Sequence, residues 1–267
     1  MNSRRAIAFF TITASTLISQ ISLAETKIGT SGNVKAEISY QEKPQYEYQV
    51  HLKIFRGGKK LLDIHEPQKD VSDKPVVGID PDNKLPVLDL DGNKEPEVIA
   101  DFFTGGAHCC TYSLIYRYQS KEKRYTVKRF DWGNVGYELK DLNNDKLPEF
   151  RSADDRFAYA FASYAASGFP LQIWQYRQGK MIDVTRKYPK LIRANALELW
   201  QSYQQAKKED GEVKGLLTAY LADKYLLGES VDGWKRVKQV YKASDRDQYF
   251  AAVRKFLGET GYLKVRS

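Results

Sequence analysis

Two short segments carry the densest oxygen chemistry in the chain: Asp89-Leu-Asp91-Gly-Asn93-Lys-Glu-Pro-Glu97 and Asp141-Leu-Asn143-Asn-Asp145-Lys-Leu-Pro-Glu149, offset by 52 positions. In each, loop positions one, three and five offer carboxylate or amide oxygens, and a glutamate closes the loop at position nine. A hard divalent cation needs about six to eight oxygens at flexible distances, and alternate residues of a tight turn aim several side chains at one point while a backbone carbonyl adds another. The expected ligand sets are Asp89, Asp91, Asn93 and Glu97 for one Ca2+, and Asp141, Asn143, Asp145 and Glu149 for another, with the carbonyls of Glu95 and Leu147 as helpers. Neither loop is an EF-hand: position six is Lys94 or Lys146 instead of glycine, and position twelve is Ala100 or Ser152 instead of glutamate. Asp-Asn-Gly turns also form without ions, through side-chain bonds to the backbone. The pattern occurring twice in register favours bound calcium in at least one loop.

A second chemical feature is the pair Cys109-Cys110, the only cysteines, set in Thr104-Gly-Gly-Ala-His108-Cys-Cys-Thr111. Adjacent α-carbons are about 3.8 Å apart across a trans peptide, short of the usual disulfide separation, so a bond between neighbours closes a small strained ring. Three readings stay open: a structural vicinal disulfide between Cys109 and Cys110, two buried unlinked thiols, or a metal or redox site with His108. A zinc site wants four ligands, and no second Cys or His cluster accompanies these. Asp154-Asp155 could act as the carboxylate pair of a glycosidase, but neighbours in an extended chain point opposite ways, which favours a turn or an ion pair with Arg156. No Gly-x-Ser-x-Gly elbow or His-Glu-x-x-His motif is present, and three histidines leave little room for conventional hydrolase chemistry.

The elements that must position these groups follow from periodicity. Val34, Ala36, Ile38 and Tyr40 alternate with polar residues, as do Tyr46, Tyr48, Val50, Leu52 and Ile54, which predicts two half-buried strands in a hairpin, with Leu61, Leu62 and Ile64 in a third. Residues 76–189 are rich in aromatic and β-branched residues with frequent turns, as antiparallel sheet requires. There each acidic loop precedes a strand pair: Leu114-Ile-Tyr-Arg-Tyr118 with Tyr125-Thr-Val127, and Leu171-Gln-Ile-Trp-Gln-Tyr176 with Met181-Ile-Asp-Val184. Aligning the pairs needs an offset of 58, so the second unit is about six residues longer, near residues 157–169. Phe157, Tyr159 and Phe161 alternate as in a strand. Past residue 189 the apolar period becomes helical, and breaks at Asp210-Gly211, residues 228–232 and Ser244-Asp245 separate about four helices, the last opening on a cap-like Ser244-Asp-Arg-Asp247. The expected fold class is α+β: mainly antiparallel β with propeller-blade-like repeats, then an α-helical C-terminal region. The expected organisation is a hairpin region over 25–75, a repeat domain over 76–189 and the helical region over 190–267.

The loops resemble those of the FG-GAP and VCBS class of repeats, which read Asp-x-Asp-x-Asp-Gly-x-x-Asp. The resemblance covers about residues 76–189 and implies calcium held between strands of a propeller blade. Two departures mark this chain. Lysine replaces the sixth-position glycine, which needs a tolerated left-handed or altered turn, and position nine is glutamate rather than aspartate. Two units are too few to close a propeller, so either the hairpins before residue 76 complete a smaller sheet or the likeness is local.

Arg4-Arg5, an apolar stretch over residues 6–23 and Ser22-Leu23-Ala24 together read as an export signal over residues 1–24, with an uncleaved anchor as the alternative. Removing it leaves 243 residues and takes the formal charge of +8 to about +6, and no later segment is apolar enough to span a membrane. The expectation is a periplasmic or secreted calcium-binding protein with a binding or structural role at the cell envelope or outside the cell. The basic residues scattered among acids read as a solvated surface. Its partner is an unknown protein or an anionic glycan, with local runs such as Lys121, Lys123, Arg124, Lys128 and Arg129, or Lys235, Arg236, Lys238 and Lys242, able to meet an anionic polymer or lipid head groups, and nucleic acid is not expected. The alternatives are an extracytoplasmic, metal-assisted hydrolase acting on polysaccharide or phosphate esters, and a purely structural envelope protein whose helical tail docks on another subunit.

Overall fold

The computed structural model describes the backbone of residues 25–42, 48–66, 74–75, 84–106 and 109–263. The expected export signal, His108 and the side chain of Cys109 lie outside the described residues. The architecture is α+β, with three antiparallel sheets followed by four helices.

Strands β1 (Glu25–Ser31), β2 (Val34–Glu42), β3 (Tyr48–Arg56) and β4 (Lys59–Glu66) pair in chain order as the first sheet. The second contains β5 (Lys74–Pro75), β6 (Val87–Leu88), β7 (Glu97–Gly106), β8 (Cys109–Gln119) and β9 (Arg124–Gly133), in the order β5-β7-β8-β9, with β6 also on β7. The third contains β10 (Glu138–Lys140), β11 (Glu149–Ala153), β12 (Leu171–Arg177) and β13 (Lys180–Asp183), again in chain order. The helices are α1 (Pro189–Lys208), α2 (Lys214–Leu226), α3 (Ser230–Val240) and α4 (Arg246–Glu259).

The period-two alternation of the strands sets how the layers stack. Val98, Ala100 and Phe102 of β7 join Tyr112, Leu114 and Tyr116 of β8 in one core with Val34, Ala36, Ile38, Leu52 and Ile54 of the first sheet. The intervening Ile99 and Ile115 face the other way, into a core with Trp132, Tyr137, Phe150 and Tyr176 that joins the second sheet to the third. Leu171, Ile173 and Val184 then meet Ile192 of α1 on the far face of the third sheet. The largest core lies among the helices, where Leu217, Leu221, Trp234, Val237, Phe250, Val253 and Leu257 pack together with Phe157. The order is sheet, sheet, sheet, helices. The first sheet therefore covers its neighbour face-on and does not extend it, and among the described residues no sheet closes into a propeller.

The second and third sheets share a pairing register. Val87↔Val98 and Leu88↔Glu97 recur 52 positions on as Leu139↔Phe150 and Lys140↔Glu149. Val98↔Tyr116 recurs as Phe150↔Trp174, which carries the second strand on by 58 positions.

Two expectations are corrected, and one strand is added. Phe157, Tyr159 and Phe161 do not form a strand: short 3-10 turns occupy Asp155–Phe157 and Tyr164–Ala166, and Tyr159 lies in the left-handed region at φ +59°. Tertiary packing overrides the alternation, because both Phe157 and Phe161 are drawn against Phe256 of α4. Ser244-Asp-Arg-Asp247 does not cap α4 through a side chain, since the Asp245 carboxylate is held by Lys214 and by the Tyr241 hydroxyl instead. Finally, β1 forms a full edge strand that the alternation of β2 to β4 does not announce. Its Gly29 lies where a Cβ would run into the Leu85 carbonyl oxygen, so only glycine lets β1 cross so close to β6.

Candidate metal centre

Each acidic loop bridges two paired strands, β6 to β7 in the first and β10 to β11 in the second, and the two loops fold alike. Asp89 Oδ2 accepts from the Lys94 amide at 2.8 Å, and Asp141 Oδ2 accepts from the Lys146 amide at 2.8 Å. Glu97 Oε2 accepts from the Leu90 amide at 3.0 Å, and Glu149 Oε2 from the Leu142 amide at 2.8 Å. Loop positions four and six are left-handed in both: Gly92 at φ +79° and Lys94 at +67°, Asn144 at +63° and Lys146 at +71°. Of the left-handed and altered turns open to lysine at position six, the left-handed one is present in both. The loops lie side by side, with Gly92 against the Leu147 side chain.

The first loop gathers its carboxylates. Asp89, Asp91 and Glu97 bring ligand oxygens within 4.8 Å of one another, and among the described residues they are the one such acidic or His/Cys group. The side chains of Asp91 and Glu97 are 2% and 1% exposed. Asp91 Oδ2 accepts from the Gln178 amide at 3.0 Å and from Arg117 Nη2 at 3.2 Å, while Asp91 Oδ1 and Glu97 Oε1 have no hydrogen-bond partner. Burial, with Asp91 and Asp89 adding to it, pushes Glu97 up to about 7 against the pull of the Leu90 amide and Arg117. The buried Tyr176 hydroxyl beside them is also unpartnered, and its phenol is pushed up by burial and then by Glu97. Asn93 keeps to the exposed rim, where its Oδ1 accepts from the Glu95 amide at 2.6 Å. Glu95 itself turns away to pair with Arg56 of β3.

The second loop closes on amides. Asn143 Nδ2 donates to Asp145 Oδ2 at 3.0 Å and to Glu149 Oε1 at 3.4 Å, and Gln175 Nε2 donates to the same Glu149 oxygen at 2.6 Å. The Tyr188 hydroxyl covers the loop 3.3 Å from Asn143 Nδ2, and its phenol is pushed up by burial and then by Glu149. At Asp141, four backbone amides outweigh the opposing effect of burial and lower the carboxyl below its usual range. The two quartets expected from spacing thus share a backbone but differ in their oxygens. Arg117, Tyr176, Gln178, Gln175 and Tyr188, which distinguish them, come from strands and turns outside the nine-residue loops, and the spacing of the loops does not point to them.

The other chemical candidates resolve differently. Cys110 is disulfide-bonded in a chain with two cysteines, and its amide donates to Thr104 Oγ1 at 2.7 Å. Asp154 receives Arg156 Nε at 2.8 Å and Nη2 at 2.6 Å, together with the Tyr262 hydroxyl at 2.9 Å, while Asp155 accepts from the Asn134 amide at 3.0 Å. The two carboxylates do not converge, and Asp154 is engaged in holding the end of β11 to the helical region. Among the described residues no helix is long and apolar enough to cross a membrane.

Fold and site together define an architecture of stacked antiparallel sheets, with paired acidic loops at the strand junctions and a helical C-terminal unit. Residues 192–261, which make up nearly all of that unit, match the sll0997 C-terminal domain. The chain is 30% identical over 260 residues to the probable thylakoid lumen protein sll0997 of Synechocystis sp. (strain ATCC 27184 / PCC 6803 / Kazusa), across 88% of this chain and 75% of that protein. The chain belongs to the sll0997 family. It is also 33% identical over 218 residues to the uncharacterized protein y4bJ of Sinorhizobium fredii (strain NBRC 101917 / NGR234), across 80% of this chain and 33% of that protein. No solved structure matches.

Proposed function

We propose that this is an exported, periplasmic or secreted protein whose first acidic loop binds calcium, with a binding or structural role at the cell envelope or outside the cell. The observation that carries this reading is the pair of unpartnered oxygens, Asp91 Oδ1 and Glu97 Oε1, on almost fully buried side chains within reach of Asp89. Buried polar atoms are nearly always satisfied, and a calcium ion would bond directly to these two oxygens, which accept no hydrogen bond. Asp89, Asp91 and Glu97 would hold it, which suits the oxygen-only chemistry of the ion. Its part would be structural, since Asp91 already accepts from Gln178 in the β12–β13 turn and an ion at this place would fasten the second sheet to the third. The loop likeness to FG-GAP and VCBS repeats supports the reading locally. Export is supported by the Arg4-Arg5 and apolar leader pattern and by the name of the Synechocystis relative, a probable thylakoid lumen protein.

The test is metal analysis of the purified mature chain, followed by thermal melts in chelator and in excess calcium. Saturation at about 100 times the dissociation constant stabilises by about 2.7 kcal/mol, and for a chain of this size that raises the melting temperature by about 5–10 °C. Asp91→Asn and Glu97→Gln should remove the increment. Identical melts in chelator and calcium would refute the reading.

A further inference from the structure

A guanidinium stands against the carboxylates of the first loop, and an amide stands at the equivalent place in the second. Arg117 reaches its loop from β8 and Gln175 from β12, and each follows a residue paired at the same register, Tyr116 with Val98 and Trp174 with Phe150. Gln175 is hydrogen-bonded at both ends of its amide: its Nε2 donates to Glu149 at 2.6 Å, and its Oε1 accepts from Arg177 at 3.2 Å. Arg117 is bonded only in part. Its Nη2 donates to Asp91 at 3.2 Å, but its Nε lies 3.5 Å from Glu97 Oε1 with neither atom hydrogen-bonded. The guanidinium therefore offsets charge at the first loop without satisfying the oxygens there, although its planar fork is suited to bidentate carboxylate binding.

Resting on the calcium reading of that loop, we propose that Arg117 sets the affinity of the site as a tethered internal cation, which an incoming divalent ion must outcompete for Asp91 and Glu97. Without metal, its positive charge holds two buried carboxylates together that would otherwise repel. With metal, the same charge sits within a few ångströms of a doubly charged ion, and the repulsion weakens binding. The product is a low-affinity site that fills only where calcium is abundant, in keeping with the range of about 10⁻⁴–10⁻³ M at which extracellular calcium modules work. Arg117 is a positioning and affinity-setting residue, not a ligand. The second unit supplies the neutral control, because Arg117→Gln copies what stands at position 175.

The experiment is calorimetric titration of the full mature chain with calcium chloride, using wild type, Arg117→Gln, Arg117→Met, Arg117→Lys and Asp91→Asn, each checked by thermal melt. The expected result is binding at least tenfold tighter in both neutral variants, little change in the lysine variant that keeps the charge, and no binding at this site in Asp91→Asn. Two neutral variants guard against one of them failing to fold. Wild-type binding with no gain in either folded neutral variant overturns the role of Arg117 and leaves the calcium reading standing. A silent wild type with binding neutral variants upholds Arg117 as the barrier and overturns calcium binding by the natural chain. Silence in all of them overturns both.

Discussion

Replacing Asp154 with asparagine should loosen the join between the third sheet and the helical unit without touching any site of turnover. The carboxylate is 2% exposed and lies where β11 ends. It accepts from Arg156 and, across 108 residues of chain, from the hydroxyl of Tyr262 in the turn after α4. Burial, and then Asp154 itself, push the Tyr262 phenol well above its usual value, so it remains a donor. Arg156 is 53% exposed, so water replaces much of what it loses, and that pair contributes about 0–1 kcal/mol. The buried phenol has no such recourse, and a hydrogen bond to a charged group contributes about 1.5–3 kcal/mol. The sum is about 3 kcal/mol, or a fall in melting temperature of about 6–12 °C at 2–4 °C per kcal/mol. The assay is a melt of wild type, Asp154→Asn, Tyr262→Phe and the double variant, with a coupling of about 1.5 kcal/mol expected between the two positions. An Asp154→Asn melt within about 1 °C of wild type, or strict additivity, refutes this account of the carboxylate. Loss of turnover on glycoside or phosphate esters in a variant of unchanged stability would instead promote the hydrolase alternative.

Two further outcomes follow from the packing. Gly29→Ala places a methyl group inside the Leu85 carbonyl oxygen and 2.7 Å from Val87 Cγ2. The overpacking should cost about 2 kcal/mol, read as a fall in urea midpoint, and an unchanged midpoint would show that β1 can move off β6. Asp101, bonded to Ser113 and to the Tyr137 hydroxyl between the second and third sheets, is pushed by burial up to about 6 against the pull of those two donors. Its folded value lies above its unfolded one, so the protonated state is favoured on folding. That stability is full below about pH 4 and is lost as the pH rises through about 6, roughly 3 kcal/mol in all. Asp101→Asn should therefore gain on wild type between pH 4 and 7 in urea titrations, and parallel pH profiles would contradict the assignment.

Much of this fold is legible in local pattern. Alternation in residues 34–40 and 48–54 marks a sheet with one buried face, and Val34, Ala36, Ile38, Val50, Leu52 and Ile54 are that face. The change to helical spacing after residue 189 marks the helical region, because an apolar stripe at that period is the one face of a helix that must be buried. The segment from Phe157 to Phe161 is the opposite case. Its alternation is indistinguishable from that of a strand, and it yields 3-10 turns because α4, about a hundred residues away, offers the aromatic surface on which both phenylalanines rest. Spacing also does not reveal that the first sheet lies face-on over the second, since that depends on which edges and faces are left to cover.

The nine-residue acidic loops show the same division within one site. Asp89, Asp91 and Glu97, and likewise Asp141, Asn143, Asp145 and Glu149, are placed by turn geometry that the chain specifies within a few residues, so spacing alone foretells both loops; of the left-handed and altered turns it leaves open to Lys94 and Lys146, the left-handed one forms. Which oxygens are left without partners was decided by groups that folding imports from elsewhere: Arg117 and Tyr176 at the first loop, Gln175 and Tyr188 at the second. Local sequence sets the direction of a side chain through its own backbone. Charge balance and burial depend on everything packed within a few ångströms, and most of that is distant along the chain.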